Sequence, residues 1–530
     1  MKAIKIYAVA LSLLSLGACK KSFLDTEQVT AVTDQNFYKT PKDAFTALVG
    51  CYDGLQVVWS EGIALPVAAE VMSDNTFGAT GNSDGFGYQM IDEFDKSRSP
   101  SDQNLYNRNW VLYYRALFRC NVLLGKLDQI EWGKDTQLRK TYESEARFLR
   151  AYLLFDMVRL WGNIPLLTAP STENLPQSNP DEVYKVIAND LKFAAANLPE
   201  VAYPAQAAAN HGRVTKYAAE SLIGRVFLYY TGYYAKADLV GLISKSETLA
   251  YLEDVITKGG YGLIENFADL WPAASLTSYA GEDNKETIFA IKYTYTSDYE
   301  GNTDGNHWMI MTGIREQALY PYGNGWGAET VNPKLWNAYL PTDTRRVGSI
   351  ISIVDEKLPF TNQKGQREYT GYYVKKYSPM IGLDGKPLPE AHGNTNFQIG
   401  QFQDYVSIRY ADVLLMAAEL GSGNAQTYFD AVRRRAYKDA FTPLAISQAN
   451  IINERRLEFA FEGIRYYDLL RQGIDKAAQE IAETSTVLNG GVSAEKKISA
   501  ANIIATRGLQ QIPYTQIGLS NGTLKQNEGW

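Results

Sequence analysis

Apolar residues recur at helical spacing in the two end portions of the chain. The clearest case spans residues 140–160, where apolar positions follow one another at steps of three and four. They are Ala146, Leu149, Leu153, Met157 and Leu160, with a second stripe at Phe148, Tyr152 and Phe155. Two apolar stripes predict a helix that is buried against two neighbours, as in stacked helical hairpins. Gly162, Asn163 and Pro165 are expected to end this helix.

The same spacing predicts further helices on both sides of a different central region. They fall at about 33–55, 106–128, 180–197, 214–232, 247–258, 405–420, 424–437, 446–471 and 474–483. The central residues, about 260–400, are instead rich in Gly, Asn, Asp, Pro and Tyr. Short alternating runs at 287–293 and 369–377 are typical of strands. The pattern therefore predicts a repeat-like α scaffold that carries a long irregular portion.

The composition is that of a large globular protein. Of 530 residues, 45% are hydrophobic and 21% are charged, which excludes intrinsic disorder. The net charge of −7 and the absence of a long basic run exclude an electrostatic footprint for nucleic acid. Three cysteines are too few for a disulfide-stapled scaffold. Of these, Cys51 and Cys120 could form a disulfide or remain free buried thiols.

Few residues are placed for catalysis. His211, His307 and His392 lie far apart in the sequence, which argues against a metal site or a catalytic triad. No phosphate-binding or dinucleotide fingerprint lies between a predicted strand and a helix. A glycosidase needs only two carboxylates, so a hydrolase remains as the weaker alternative. We expect no catalytic residue, no cofactor and no metal.

The N-terminus is typical of an exported lipoprotein. Lys2 and Lys5 precede an apolar run, Ile6–Leu16, that is too short to span a bilayer. The segment Leu16-Gly17-Ala18-Cys19 then resembles a bacterial lipobox, in which small residues fit the signal peptidase and the thiol receives the lipid. We predict a signal peptide at residues 1–18 and lipidation, including palmitate, at Cys19. More than one acyl chain makes such an anchor stable.

Five blocks of sequence, in the same order, resemble those of one protein family. They are Phe23–Asp25, Glu145–Leu166, Arg409–Glu419, Glu454–Arg471 and Ile512–Trp530. The second block begins EARFLRAY, the third reads RYADVLLMAAE and the fourth contains ERRLEFAFEG. In these blocks the chain resembles the SusD/RagB family of outer-membrane nutrient-binding lipoproteins. It departs from the family in the short connection Leu420–Gly423, a departure confined to one local hairpin.

The resemblance implies a fold and a function. The fold would be mostly α, with a tetratricopeptide-like scaffold of helical hairpins at about 30–260 and 405–530 and a loop-rich, ligand-facing portion at about 261–404. Residues 19–530 would form a cell-surface lipoprotein of the outer membrane. It would capture oligosaccharides or glycans and deliver them to a SusC-like TonB-dependent transporter. A peptide-binding member of the family is the alternative, and a surface glycoside hydrolase is a weaker one.

A sugar-binding site needs flat aromatic rings with polar groups at their edges, because sugars present apolar CH faces ringed by hydroxyls. The resemblance places ligand contacts in two loop regions, about 74–104 and 271–339. Within them we expect Trp308 and Trp326 as stacking platforms and Tyr320 as an edge ring. Asn75 and Arg98 are the expected hydrogen-bond donors.

The charged residues of the 454–471 block are expected to be structural. Arg455 and Glu458, Glu462 and Arg465, and Asp468 and Arg471 are each three residues apart. On one continuous helix such pairs contribute roughly 0.2–0.5 kcal/mol each. We therefore expect Glu458, Glu462 and Asp468 to stabilise the scaffold and not to act as acid–base groups.

Overall fold

The computed structural model describes residues 37–298 and 300–530. Its α-helices are α1 Pro41–Val57, α2 Leu65–Val71, α3 Gly87–Glu93, α4 Asn107–Lys126, α5 Thr136–Trp161, α6 Pro180–Asn197, α7 Lys216–Tyr233, α8 Lys245–Lys258, α9 Met309–Thr312, α10 Pro333–Ala338, α11 Thr344–Ser349, α12 Tyr410–Glu419, α13 Ala425–Tyr437, α14 Gln448–Glu458, α15 Arg465–Leu470, α16 Ile474–Ile481, α17 Ala500–Ala505 and α18 Tyr514–Leu519. The predicted signal peptide and Cys19 lie outside the described residues.

Local sequence signals set where the long helices begin and end. α1 begins at Pro41 because Thr40 caps it: the Thr40 hydroxyl accepts from the Asp43 amide, and the Asp43 carboxylate accepts from the Thr40 amide. α5 ends at Trp161, where Gly162 adopts a positive φ of 68°. The two apolar stripes of α5 are buried on both sides, as the spacing predicted.

Consecutive long helices pack against one another as hairpins. α4 packs on α5, α5 on α6, α6 on α7 and α7 on α8, and α12 packs on α13 in the same way. α1 covers α4 and α5, and α12 closes the scaffold against α8. The main core lies between these helices and contains Trp59, Trp161 and Trp271. Full burial of one large apolar side chain contributes about 1.5–3 kcal/mol.

The two cysteines within the described residues are free thiols. Cys51 on α1 and Cys120 on α4 are both buried and are not joined by a disulfide. A hydrogen bond with the Cys120 thiol and burial raise the pKa of Cys51 well above its ordinary value. The sequence left open a disulfide or two free buried thiols, and the structure shows two free buried thiols.

Strands are short and pair two by two. They are β1 Thr76–Gly78, β2 Thr80–Gly81, β3 Ile164–Pro165, β4 Gln177–Ser178, β5 Thr287–Ile291, β6 Ile314–Arg315, β7 Asn324–Gly325, β8 Glu329–Val331, β9 Ile350–Ser352, β10 Gln366–Arg367, β11 Tyr372–Val374, β12 Tyr405–Arg409, β13 Glu483–Asn489 and β14 Val492–Ile498. The pairs are β1 with β8, β2 with β10, β3 with β4, β5 with β12, β6 with β7, β9 with β11 and β13 with β14. The predicted fold class is confirmed: a mostly helical scaffold carries an irregular portion with a few short strands.

Two predicted helices are wrong in part. Residues 405–409, predicted as the start of a helix, form β12, which pairs with β5, and the second error is a break in the helix predicted at 446–471. The sequence predicted a continuous helix at 446–471, whereas α14 ends at Glu458 and α15 begins at Arg465. Between them Phe461 and Gly463 adopt positive φ angles of 69° and 71°. The Gly463 amide donates to Glu70 Oε1 at 2.9 Å, so a contact with a distant part of the chain holds the break open.

The break changes the ion-pair partners of the charged residues in this block. Asp468 and Arg471 do form the expected pair at 2.8 Å, but Arg465 pairs with Asp74 instead. Glu458 is fully buried, and Arg345, Arg409 and Arg435 all donate to it. Apart from the pair of Asp468 with Arg471, these are therefore tertiary contacts that join distant segments.

Candidate functional site

The pairing of β1 with β8 brings the two predicted ligand regions together, and β2 pairs with β10, which lies beyond them in the sequence. β1 pairs with β8, with Phe77 opposite Thr330, and β2 pairs with β10, with Thr80 opposite Arg367. The 82–86 loop that follows β2 therefore lies beside the β6–β7 region. The Arg315 guanidinium lies directly against Gly81, so a Cβ at this position would displace it.

Trp326 lies on the surface of this region and is 38% exposed. Its position is fixed through its backbone: the Trp326 amide donates to the Ile310 carbonyl at 2.7 Å, and its carbonyl accepts from Arg315 Nη1 at 3.0 Å. The glycines around it allow the close approach of β6 and β7, since a Cβ on Gly325 would overlap the Gly313 backbone. The ring thus extends from a rigid loop, which is the geometry that a stacking platform needs.

Phe86 is a second exposed ring, 40% exposed, that the sequence reasoning missed. The guanidinium carbon of Arg367 lies 4.0 Å from its ring centroid, and that of Arg98 lies 5.1 Å from it. Such cation–π contacts hold the ring in place. The signal was present in the sequence: Gly85-Phe86-Gly87 repeats the pattern of Gly325-Trp326-Gly327, an aromatic residue between two glycines in a turn-rich stretch.

Hydrogen bonds link the two rings. Arg315, which binds the Trp326 carbonyl, also pairs with the Asp84 carboxylate at 3.2 Å. Arg367 donates to the Asp84 and Gly85 carbonyls at 2.6 and 2.9 Å and lies against Phe86. We call Asp84, Phe86, Arg98, Arg315 and Trp326 the ring surface.

The charged groups of the ring surface are compensated. Arg98 pairs with Glu93 at 2.7 Å, and Arg315 also pairs with Glu316 at 2.6 Å. Burial lowers the pKa of Arg367, and the nearby positive charges of Arg98 and Arg315 add to this effect. Paired guanidinium and carboxylate groups beside exposed rings can donate to and accept from neutral hydroxyls.

The structure places the other predicted residues as follows. Arg98 belongs to the ring surface. Tyr320 is 47% exposed and lies in the tight turn between β6 and β7, where the amide and carbonyl of Leu319 bond to those of Tyr322 at 2.8 Å. It therefore projects from the same connection that leads to Trp326.

Trp308 is not a platform in this structure. It is 1% exposed, and its ring lies 5.0 Å from that of Tyr377 and 5.7 Å from that of Tyr405. These rings belong to the main core, so no soluble ligand reaches Trp308. Its predicted role is corrected to core packing. Trp161 and Trp336 are buried as well.

Asn75 is not a surface donor either. It is 0% exposed; its Nδ2 donates to Glu70 Oε2 at 3.0 Å, and its Oδ1 accepts from Arg456 Nε at 3.1 Å. Both polar atoms are satisfied by protein, so the side chain ties the β1 region to α14. Its predicted role is corrected to this structural one.

Within the described residues, no group of three or more His, Cys, Asp or Glu is arranged to hold a metal ion. None of the described helices is both long and apolar enough to cross a membrane.

Comparisons with known proteins cover most of the chain. The SusD family model matches residues 354–530, and a model described as "Starch-binding associating with outer membrane" matches residues 60–228. Between them they cover more than half of the chain. A SusD-like protein P2 of Formosa agariphila is 25% identical, with 89% of this chain and 91% of the relative covered. A SusD-like protein of Bacteroides ovatus is 24% identical, with 88% and 82% covered.

Solved structures agree with the sequence relatives. A laminarin-binding SusD-like protein is 27% identical, with a TM-score of 0.71, and 93% of this chain and 100% of that chain are covered. Surface glycan-binding protein A from Bacteroides fluxus shares the fold at 24% identity, with a TM-score of 0.76 and the same coverage. The scaffold, the ordered sequence blocks and these matches lead to one conclusion: the chain belongs to the SusD/RagB family.

Proposed function

We infer that this protein binds glycans at the ring surface and delivers them to a SusC-like TonB-dependent transporter. The observation that carries the proposal is the pair of exposed rings, Phe86 and Trp326, joined by arginines and a carboxylate. Exposed rings stack on the CH faces of sugars, and the flanking charged groups bind the hydroxyls. The 27% identical relative is named as a laminarin-binding protein, which favours a glycan over a peptide as the ligand class.

The proposal includes binding without turnover. Two carboxylates of the site region, Asp84 and Glu316, both pair with the Arg315 guanidinium. In these pairs each carboxylate accepts from the guanidinium, which is the arrangement of a binding surface. The buried Glu458 and Asp468 serve the scaffold through ion pairs with arginines.

Binding is tested by electrophoresis of residues 20–530 through gels that contain single polysaccharides. Trp326→Ala runs beside the wild type, and Phe118→Ala, which removes an exposed ring from α4, is the matched control. We expect one class of polysaccharide to retard the wild type and the control but not Trp326→Ala. Equal retardation of all three by every retarding polysaccharide contradicts the assignment of the site. Failure of every polysaccharide to retard the wild type contradicts glycan binding.

The proposed location is the cell surface, where a lipid on Cys19 anchors the protein to the outer membrane. This rests on the lipobox Leu16–Cys19 and on the outer-membrane association in the description of one matched family model. Metabolic labelling with palmitate should mark the wild type and leave Cys19→Ala unlabelled. Whole cells should bind the retarding polysaccharide only when Cys19 is intact. Labelling of Cys19→Ala at the wild-type level contradicts the anchor.

Delivery is tested by co-purification. A tagged copy of the full-length protein, extracted with its lipid, should retain an outer-membrane barrel of the TonB-dependent class. Loss of glycan uptake on deletion of that barrel, with surface binding unchanged, is the expected result. Unchanged uptake in its absence contradicts delivery to it.

A further inference from the structure

A second cluster of aromatic rings lies on the surface, apart from the ring surface. Tyr295 is 37% exposed, and His392 is exposed as well. Their ring centroids are 4.4 Å apart and their planes differ by 17°, so the two rings are stacked. The partly buried Phe402 contacts both rings, and we call these three residues the Tyr295 cluster. None of their ring contacts involves a residue of the ring surface.

Three segments that are distant in the sequence meet at the Tyr295 cluster. Tyr295 follows β5 and Phe402 precedes β12, and the pairing of these two strands brings both residues to the same place. The third ring ends a short 3-10 helix, Leu388–His392. Just beyond it, the Asn394 side-chain amide donates to the Tyr295 carbonyl at 2.8 Å. Backbone contacts therefore fix the positions from which the rings extend.

Phe402 does not cover the outer faces of the stacked pair. Its ring centroid lies 6.0 Å from that of Tyr295 and 5.1 Å from that of His392, at 86° and 79° to their planes. A ring stacked beyond either partner would lie close to one and much farther from the other. Phe402 therefore lies at the side of the pair. Within the described residues, Tyr295 and Phe402 belong to none of the hydrophobic cores, so the rings do not serve core packing.

Polar groups accompany the exposed rings. The Tyr295 hydroxyl and the His392 ring nitrogens lie at the ring edges and can exchange hydrogen bonds with sugar hydroxyls. Thr296, which is exposed, follows Tyr295 in the chain, and Glu390 lies two residues before His392. Flat exposed rings with polar atoms at their edges are what a sugar-binding site needs.

We propose that the Tyr295 cluster is a second sugar-binding site, which contacts a distant unit of a glycan chain that is held at the ring surface. This inference rests on the proposed function and names its ligand as a chain long enough to reach both sites. Trp326 of the ring surface and all three residues of the Tyr295 cluster belong to the loop-rich portion at about 261–404. One glycan chain can therefore contact two parts of the same portion of the protein.

Two contacts with one chain strengthen each other. Once the ring surface holds the chain, the second contact forms at the high local concentration that the first one sets. It therefore strengthens the binding of a long chain even though its own affinity is low. A trisaccharide is too short to bridge two sites that share no contact, so it gains nothing from the second site. The favoured ligand is a polysaccharide or a long oligosaccharide.

Affinity electrophoresis of residues 20–530 at graded concentrations of the retarding polysaccharide tests the second site. We expect Tyr295→Ala to raise the dissociation constant about tenfold. Tyr295→Phe keeps the ring and should bind as the wild type does, and so should the control Phe118→Ala. His392→Ala removes the stacked partner from a separate segment and should weaken binding in the same way. It also tests the site if Tyr295→Ala does not fold.

Calorimetric titration with a trisaccharide cut from the same polysaccharide separates the two sites. Tyr295→Ala should bind the trisaccharide with wild-type affinity, because the trisaccharide occupies the ring surface alone. Wild-type retardation of both Tyr295→Ala and His392→Ala by the polysaccharide overturns the inference. Equal weakening for the trisaccharide and the polysaccharide also overturns it, because Tyr295 would then act through the ring surface. Failure of every polysaccharide to retard the wild type contradicts the proposed function and this inference with it.

Discussion

Substitution of Glu458 by Gln tests whether the buried ion network holds the scaffold together. Glu458 is fully buried at the end of α14. It accepts from Arg345 Nη1 at 3.2 Å and from Arg409 Nη1 at 3.0 Å, and Arg435 also donates to it. These arginines come from three distant segments. The carboxylate therefore joins α14 to α11, β12 and α13.

The expected loss of stability follows from the charges that Gln no longer compensates. It keeps one acceptor oxygen but removes the negative charge, so three buried guanidinium groups lose part of their compensation. The arginines hold the pKa of Glu458 well below its ordinary value against the effect of burial, so the carboxylate is charged in the folded protein at neutral pH. Removal of one partner from a buried ion pair costs about 3–5 kcal/mol. We expect Glu458→Gln to lower the free energy of unfolding by that amount.

The assay is urea unfolding followed by tryptophan fluorescence, with Glu182→Gln as the matched control. Glu182 is an exposed carboxylate that pairs with Lys185 at 2.8 Å on the surface of α6. An exposed pair of this kind contributes about 0–1 kcal/mol. If the two variants unfold at the same urea concentration, the network does not stabilise the fold and the reasoning is refuted. If Glu458→Gln unfolds earlier but binds the retarding glycan normally while folded, the structural role is supported.

Three further predictions concern the core. Burial raises the pKa of Asp412, but Arg225 and Arg455 lower it further, from 3.8 to about 2. The charged carboxylate therefore contributes about 2 kcal/mol to the free energy of unfolding above pH 4, and this contribution is lost as the pH falls toward 2. Asp412→Asn should flatten this part of a profile of stability against pH, and an unchanged profile contradicts the prediction. Cys51 and Cys120 are buried, so they should react with a thiol reagent only after unfolding. Counting the labelled thiols with and without urea measures this. Rapid labelling of both thiols in the native protein would contradict their burial. Trp308 is buried in the core, so Trp308→Ala should lower the free energy of unfolding by about 3–5 kcal/mol, as measured by urea unfolding. The folded variant should bind glycan with unchanged affinity. Weaker binding would show that Trp308 contributes to the binding site.

The helical scaffold could be predicted from the sequence because its signals are local. The stripes of α5 repeat at the helical period, and Gly162 and Pro165 mark its end within a few residues. The break between α14 and α15 could not be predicted in this way. It depends on the contact of Gly463 with Glu70, which lies far away in the sequence.

The candidate site was predictable only in part, for the same physical reason. Trp308 and Trp326 are the same residue type in the same loop-rich portion, yet one is buried and the other exposed. Contacts with Tyr377 and Tyr405 decide this, and no local pattern reports them. The flanking glycines of Trp326 and Phe86 were a local signal that does mark the exposed rings.

The most direct test of the central claim is isothermal titration calorimetry of residues 20–530 with an oligosaccharide from the retarding polysaccharide. We expect Trp326→Ala and Phe86→Ala each to weaken binding about tenfold, since loss of one stacked ring costs about 1.4 kcal/mol. Phe118→Ala should bind as the wild type does. Wild-type affinity in both ring variants, with normal unfolding curves, would contradict glycan capture at this surface.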